Sequence, residues 1–275
     1  YPGLTAWEIL LSESQERMAV VIAAADLEAF IAKAMEENLE ATLVAVVTDT
    51  GRLRMKWRGQ TIVDISREFL NTNGAKQNTR VRVLSPQPEK NALCQLAQEV
   101  AAALPDLKAA WLANLGRLNV CSQKGLVERF DSSIGAGSVL MPFGGERQLT
   151  PVDGMVAKLP VLTGETTTGT LMTYGYSPAV AKWSPFHGAV YAIVESVAKA
   201  VALGADYRRI RLTLQEYFEK LGTDDTKWGK PFSALLGALW AQHELGIPAI
   251  GGKDSMSGTF MDLNVPPSLA AFAVD

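Results

Sequence analysis

Cysteine and histidine are scarce: 275 residues contain only Cys94, Cys121, His187 and His243. Two cysteines are too few for a disulfide framework, and two histidines do not make up a Cys/His zinc cluster with them. They fit a reducing cytoplasm. Neither cysteine has the glycines of a nucleophile elbow or a histidine near it in sequence, so core packing is the expected role of both. No charge of one sign dominates, since 26 Lys+Arg against 29 Asp+Glu give a net charge of −3. A general nucleic-acid or polyanion binder carries a basic excess, and this chain has none. Long apolar runs are missing too. The clearest, residues 18–25, ends at Asp26, and residues 188–205 are interrupted by Glu195 and Lys199. A membrane span needs about 20 apolar residues. Residues 5–11 contain Glu8 and lack the basic flank of a signal peptide.

What is present is enough apolar content, 48%, to fill a core, which excludes a wholly disordered chain. The length suggests about two domains. The chain starts at Tyr1 and ends in a β-prone stretch, 268–274, so an excised fragment is expected.

Residues 16–23 and 42–48 are rich in Val, Ile and Leu and are expected as strands. Asp26 is a plausible cap for a helix over 27–37, where Leu27, Phe30, Ile31 and Met35 recur at helical spacing. A turn at 49–51 leads into a strand at 52–57, another strand covers 60–65, and Ser66 is placed to cap a short helix. Residues 71–91 have linker composition. Helices are expected at 92–104 and 106–114, with Pro105 ending the first. Beyond them, strands are expected at 127–131, 156–161 and 166–174, a long apolar helix at 185–203, a short extended piece at 207–212, a helix at 231–245, and a buried strand at 247–250.

That last strand runs into Gly251-Gly252-Lys253-Asp254-Ser255. Glycines after a strand allow close approach to a phosphate, and Asp beside Lys suits a metal and its anion. The stretch is not a Walker A loop, because Gly252 stands where lysine is required. An ordinary strand-to-loop turn is the other reading. Glu195 and Lys199 lie four residues apart on one helix face. They are either an ion pair at the core's edge or a carboxylate turned towards a ligand. Residues 12–17 (SESQER) are a polar run before an apolar stretch, read as a surface loop or as hydrogen-bonding groups for a small polar molecule. The glycines of 134–146 lack a dinucleotide fingerprint.

Together, SESQERM at 12–18, LNVCSQKGLVERF at 118–130, MPFGGERQLTPVDGMVAKLPV at 141–161, SPFHGAV at 184–190 and above all GGKDSMS at 251–257 resemble phosphoribosylformylglycinamidine synthase of the large single-chain type. The resemblance extends over essentially the whole chain. It implies an α+β fold of aminoimidazole-ribonucleotide-synthetase-like domains, a partial C-terminal-type domain followed by an N-terminal-type one. Residues 1–75 would end the first copy, 76–115 form a linker with helices, and 116–275 make the second N-terminal domain. The implied reaction is ATP-dependent conversion of formylglycinamide ribonucleotide to its amidine, with Mg2+ and with ammonia from glutamine, in de novo purine biosynthesis in the cytoplasm. The implied partners are the remaining domains of a parent chain, a glutaminase domain among them, and no nucleic acid or membrane.

Carried over position by position, Glu13, Ser14 and Gln15 match substrate-holding residues, and Asp254 and Ser255 match nucleotide contacts, with Lys124 a further phosphate candidate. Asp153, Glu195 and Asp254 match metal ligands. The resemblance implies that the first copy's N-terminal domain is absent and the residues offer no Cys–His nucleophile pair, so the isolated piece is expected to be inactive, with an uncovered apolar face that favours self-association. Lys199 departs from the pattern, because many long-type relatives have Asn there. An ammonium beside Glu195 would repel a cation, so the expectation is an ion pair or an anion contact in place of a metal cluster. A second reading follows, a structural half whose nucleotide site is lost. SESQER with GGKDSMS argues against a selenophosphate synthetase or a thiamine-monophosphate kinase.

Overall fold

The structure, a computed structural model, describes residues 3–12, 17–72, 78–129 and 137–275. The chain forms two compact units, Tyr1–Asn78 and Thr79–Asp275.

In the first unit, Thr5 and Glu8 close a capping box on helix α1 (Ala6–Leu11). Helix α2 (Leu27–Glu36) follows, although the Asp26 side chain makes no capping hydrogen bond. Strands β1 (Arg52–Trp57) and β2 (Gln60–Ser66) form an antiparallel hairpin. Gly51 turns the chain into β1 at φ +62°. Arg52 and Arg54 both pair with Asp64 across the hairpin. The Ser66 hydroxyl accepts from Phe69 N and caps α3 (Arg67–Asn71), as its position suggests. Residues 17–23 and 42–48 form no strand. β-propensity reports how well a side chain suits a packed pleat, and a strand also needs a neighbour to take its N–H and C=O groups. Val21, Val44 and Val47 there are more than 80% exposed. Among the described residues of this unit only Val63 is buried.

The second unit opens with irregular chain. The helix expected over 92–104 is a 3-10 turn, Ala92–Cys94, followed by α4 (Gln98–Ala103). Asp106 caps α5 (Leu107–Leu115) by accepting from Lys108 N and Ala109 N, each at 3.0 Å. The strand expected at 127–131 is not there: Val127 ends helix α6 (Lys124–Val127), and 130–131 lie outside the described residues. Two small pairings, β3 (Phe143–Gly144) and β4 (Thr150–Pro151), precede β5 (Gly154–Lys158) and β6 (Gly169–Gly175). Then come α7 (Pro178–Trp183) and α8 (Pro185–Ala202), whose N-cap Ser184 hydroxyl accepts from His187 N. Strand β7 (Arg211–Tyr217) starts later than expected because Asp206 binds Arg208 and holds a turn. Helix α9 (Asp225–Leu245) starts at Asp225 rather than Pro231, since Asp224 accepts from Thr226 N and Lys227 N. β8 (Ala249–Lys253), β9 (Thr259–Phe260), β10 (Leu263–Asn264) and β11 (Ser268–Val274) complete the unit.

Five strands make one sheet in the order β5-β6-β11-β7-β8, antiparallel except for the parallel β7–β8 pair. One face carries α8 and α9. Leu212, Leu269, Ala271 and Ala273 point into it with Ile193, Ile210, Phe218 and Ile247, all at most 3% exposed. On the other face Met155, Met172, Tyr174 and Tyr217 are exposed.

Glycines bring the helices together. A Cβ on Gly237 of α9 would overlap the carbonyl oxygen of Phe186 in α8, and one on Gly175 would overlap that of Ala192. In an open helix Gly→Ala gains about 1 kcal/mol. At Gly237 the overlap reverses the sign, and G237A is expected to lose about 1–3 kcal/mol, the cost of overpacking. G125A, whose Cβ meets nothing within 4 Å, is the control and should be neutral or slightly stabilising. Thermal unfolding of both variants checks this.

Candidate functional site

The strand directions put five ends on one edge of the sheet. β6, β7 and β8 finish there and β5 and β11 begin there. Asp153 immediately precedes β5, Tyr176 follows β6, Glu216 lies near the end of β7, and Asp254 and Ser255 follow β8. α8 returns Glu195 to this edge, where its Oε2 accepts from Tyr176 N at 3.2 Å.

The edge carries two groups. In the first, Lys199 Nζ donates to Glu195 Oε1 at 2.8 Å and to the Tyr174 carbonyl at 3.3 Å. It lies 3.8 Å from Asp153 Oδ1 and 4.8 Å from the centre of the Tyr174 ring. Burial pulls the ammonium down, but the hydrogen bond and charge of Glu195, with Asp153 behind it, outweigh this and hold Lys199 above the ordinary lysine range. In the second group, Ser255 N donates to Glu216 O at 3.1 Å, and Ser255 O accepts from Phe218 N at 2.9 Å, stitching the loop after β8 to β7. The Ser255 and Ser257 hydroxyls share a hydrogen bond of 2.8 Å. β11 lies between β6 and β7, so the groups are two strand spacings apart, about 10 Å.

The sequence-derived candidates therefore separate. Asp153 and Glu195 come together, around an ammonium. Asp254 and Ser255 sit with Glu216. Lys124 joins neither: its Nζ donates to Gln148 O at 3.0 Å, pairs with Glu128 at 3.5 Å, and lies over the Phe143 ring. Glu13, Ser14 and Gln15 lie outside the described residues. Among the described residues, no three His, Cys, Asp or Glu side chains are close enough to hold a metal. Both Glu195 oxygens are engaged, Oε1 by Lys199 and Oε2 by Tyr176 N, so a magnesium ion would have to displace an ammonium. The Asp153–Glu195 pair does not fit the metal that the resemblance implies.

The glycines before Asp254 have a packing role. A Cβ on Gly252 would overlap the Leu214 carbonyl oxygen across the parallel pair, whereas one on Gly251 would meet nothing within 4 Å. Gly252 lets β8 lie against β7, and Gly251 leaves open space.

Glu216 was not among the sequence candidates. It alternates with Leu212 and Leu214 towards the helices, and the extended piece expected at 207–212 stops short of it. A glutamate at a core-facing position of a two-residue alternation is the signal that would have found it. It is 5% exposed, and its Oε1 has no hydrogen-bond partner among the described residues. Burial, then the charge of Asp254, pushes its carboxyl up to about 7.

A carboxyl raised on folding favours the protonated native state. Glu216 therefore costs no stability below the usual carboxylate range, and its cost grows as pH rises towards 7. Raising pH from 5 to 8 in EDTA should lower the stability of the chain by about 1–3 kcal/mol through this group. E216Q should abolish that part of the slope and be the more stable form at pH 8. Parallel slopes for the two proteins in thermal unfolding would show that Glu216 ionises freely.

Residues 2–58 match the family described as AIR synthase related protein, C-terminal domain. Phosphoribosylformylglycinamidine synthase subunit PurL of Methanosarcina barkeri is 27% identical over 259 residues, 93% of this chain and 32% of that protein. The subunit PurL of Renibacterium salmoninarum is 29% identical over 255 residues, 93% of this chain and 31% of that protein. The chain thus spans about a third of the length of the curated relatives it matches. Among solved structures, PurLQS from Thermotoga maritima superposes on all of this chain and 40% of its own, with a TM-score of 0.71 at 20% identity. T. maritima PurL complexed with FGAR covers the same 100% of this chain and 38% of its own, with a TM-score of 0.69 at 19% identity. The chain thus has the mixed α+β fold of the solved PurL structures, and its residues 2–58 match a C-terminal domain of AIR-synthase-related proteins.

Proposed function

We propose that this chain is an internal piece of phosphoribosylformylglycinamidine synthase, the ATP-dependent ligase that converts formylglycinamide ribonucleotide to its amidine in cytoplasmic purine biosynthesis. The observation that carries this reading is similarity along more than nine-tenths of the chain to proteins of that name. Solved relatives named as complexes with ATP and with FGAR support the substrate classes. The β-prone residues 18–23 and 42–48, with Val21, Val44 and Val47 more than 80% exposed, are consistent with a first unit that other parts of a parent chain cover. In that parent, of the large single-chain type, a glutaminase domain supplies ammonia from glutamine, and Glu13, Ser14 and Gln15 hold the ribonucleotide. Asp254 and Ser255 face the nucleotide. Magnesium serves the parent's reaction. The exposed face bearing Met155, Met172, Tyr174 and Tyr217 is the one that would pack on the missing N-terminal domain or, in the isolated piece, on a second copy.

One observation favours a structural role for the second copy within that ligase: Lys199 occupies the space between Asp153 and Glu195. The ammonium supplies the positive charge that magnesium would otherwise bring, and both carboxylates are neutralised without a metal.

Intact parent chain supplied with formylglycinamide ribonucleotide, glutamine and ATP should form the amidine, and the isolated chain should not. A folded parent that forms no amidine would overturn the ligase reading, and amidine from the isolated chain would overturn the fragment reading. For Lys199, magnesium–ADP should leave the melting temperature of the chain unchanged, and K199N should gain a magnesium-dependent shift. A ligand at about 100 times its Kd stabilises by roughly 2.7 kcal/mol, which is several degrees. An equal magnesium-dependent shift in both proteins would mean that Lys199 does not stand in for the metal.

A further inference from the structure

We propose that the cavity at the N-terminal ends of α8 and α9 is a binding site for a phosphate-bearing small molecule. The inference does not depend on the ligase reading. The cleft lies wholly within the unit Thr79–Asp275 and has a volume of about 580 Å³, within the usual range for small-molecule sites. Lys90, Lys182 and, on α9, Lys230 line it, and among the described residues no carboxylate does. Among the described residues, neither Lys90 nor Lys182 lies within ion-pair distance of an acid.

Lys230 shares its acid. Glu219, 4% exposed, binds both Lys230 and Lys227, the latter at 3.0 Å. Burial opposes the charge on Glu219, but hydrogen bonds from the two lysines outweigh it and hold the carboxyl below its usual range. One anion between two ammonium groups leaves a positive charge in excess beside the cavity. The walls add fixed polar and planar groups. Ser233 is 6% exposed and lines the cavity. Trp183, another lining residue, is pinned by donating Nε1–H to Gln87 O at 2.8 Å. Lysine is a point-charge partner for phosphate, and a concave site without acids concentrates its field on an anion. An uncharged apolar ligand would leave Lys90 and Lys182 without a counter-charge.

The test uses the 275-residue chain with labelled pyrophosphate in EDTA at low ionic strength, by equilibrium dialysis and by thermal shift. Pyrophosphate should bind and raise the melting temperature. K90A/K182A, with an unchanged ligand-free melting temperature, should weaken binding about tenfold or more, and K199N should bind like the parent. Pyrophosphate binding should also fall as salt is raised. No binding of pyrophosphate, inorganic phosphate or a nucleoside triphosphate would overturn the proposal. So would full binding by K90A/K182A, or loss of binding in K199N alone, which would move the anion to the Lys199 edge. Should K90A/K182A unfold, the single variant K182E must lose binding in its place, and its retention would overturn the proposal equally.

Discussion

The close seating of α8 on the sheet and against α9 is the constraint on which the second unit depends. Gly175 lies beneath the backbone of α8, Gly188 packs on Ala181 of α7, and Gly237 of α9 meets the backbone at Phe186. Where backbones touch, no side chain can be inserted without moving a whole helix, so spacing and crossing are set together. The buried alanines Ala189, Ala192, Ala200, Ala234, Ala238 and Ala241 continue the same logic along both helices. Dispersion over many short contacts then replaces the few large side chains of a looser core.

That seating also places the chemistry. Held this close, α8 delivers Glu195 to Tyr176 N and Lys199 to the Tyr174 carbonyl, at the edge where five strand ends meet. The ammonium is satisfied by a carboxylate, a carbonyl and a ring face at once, so its charge is balanced within the protein. Across β11, Glu216 shows the opposite solution. Burial and the charge of Asp254 hold its proton towards neutral pH. Two glutamates on one sheet edge thus meet different surroundings, because α8 brings Lys199 to the first while the second is buried beside Asp254.

Much of the architecture was legible where the local signal and the tertiary outcome agree. Ser66, Asp106 and Asp224 each cap a helix by accepting backbone N–H groups, a purely local interaction, although only the first was singled out in advance for its side chain. The long apolar helix stands as read and the β-prone end of the chain forms β11, because a continuous apolar stripe has few other ways to be buried. Residues 17–23 and 42–48 misled for the same reason in reverse, since their composition asks for a sheet that the described residues do not supply. Pro231 suggested a helix start, but Asp224 caps earlier and the proline is carried inside.

The candidate site divides along the same line. Sequence by itself determined which residues could carry charge and that Glu195 and Lys199 would share a helix face, because a period of 3.6 residues requires it. It also marked the glycine-rich end of β8 as a place of close approach. Only the tertiary structure decided that Asp153 would join that pair, since it comes from a strand more than 40 positions away in sequence. It alone decided that Gly252 approaches the Leu214 carbonyl, and that Asp254 faces a buried glutamate and lies apart from Glu195. Those outcomes rest on strand order, and strand order is a property of pairing between distant segments that no local pattern records.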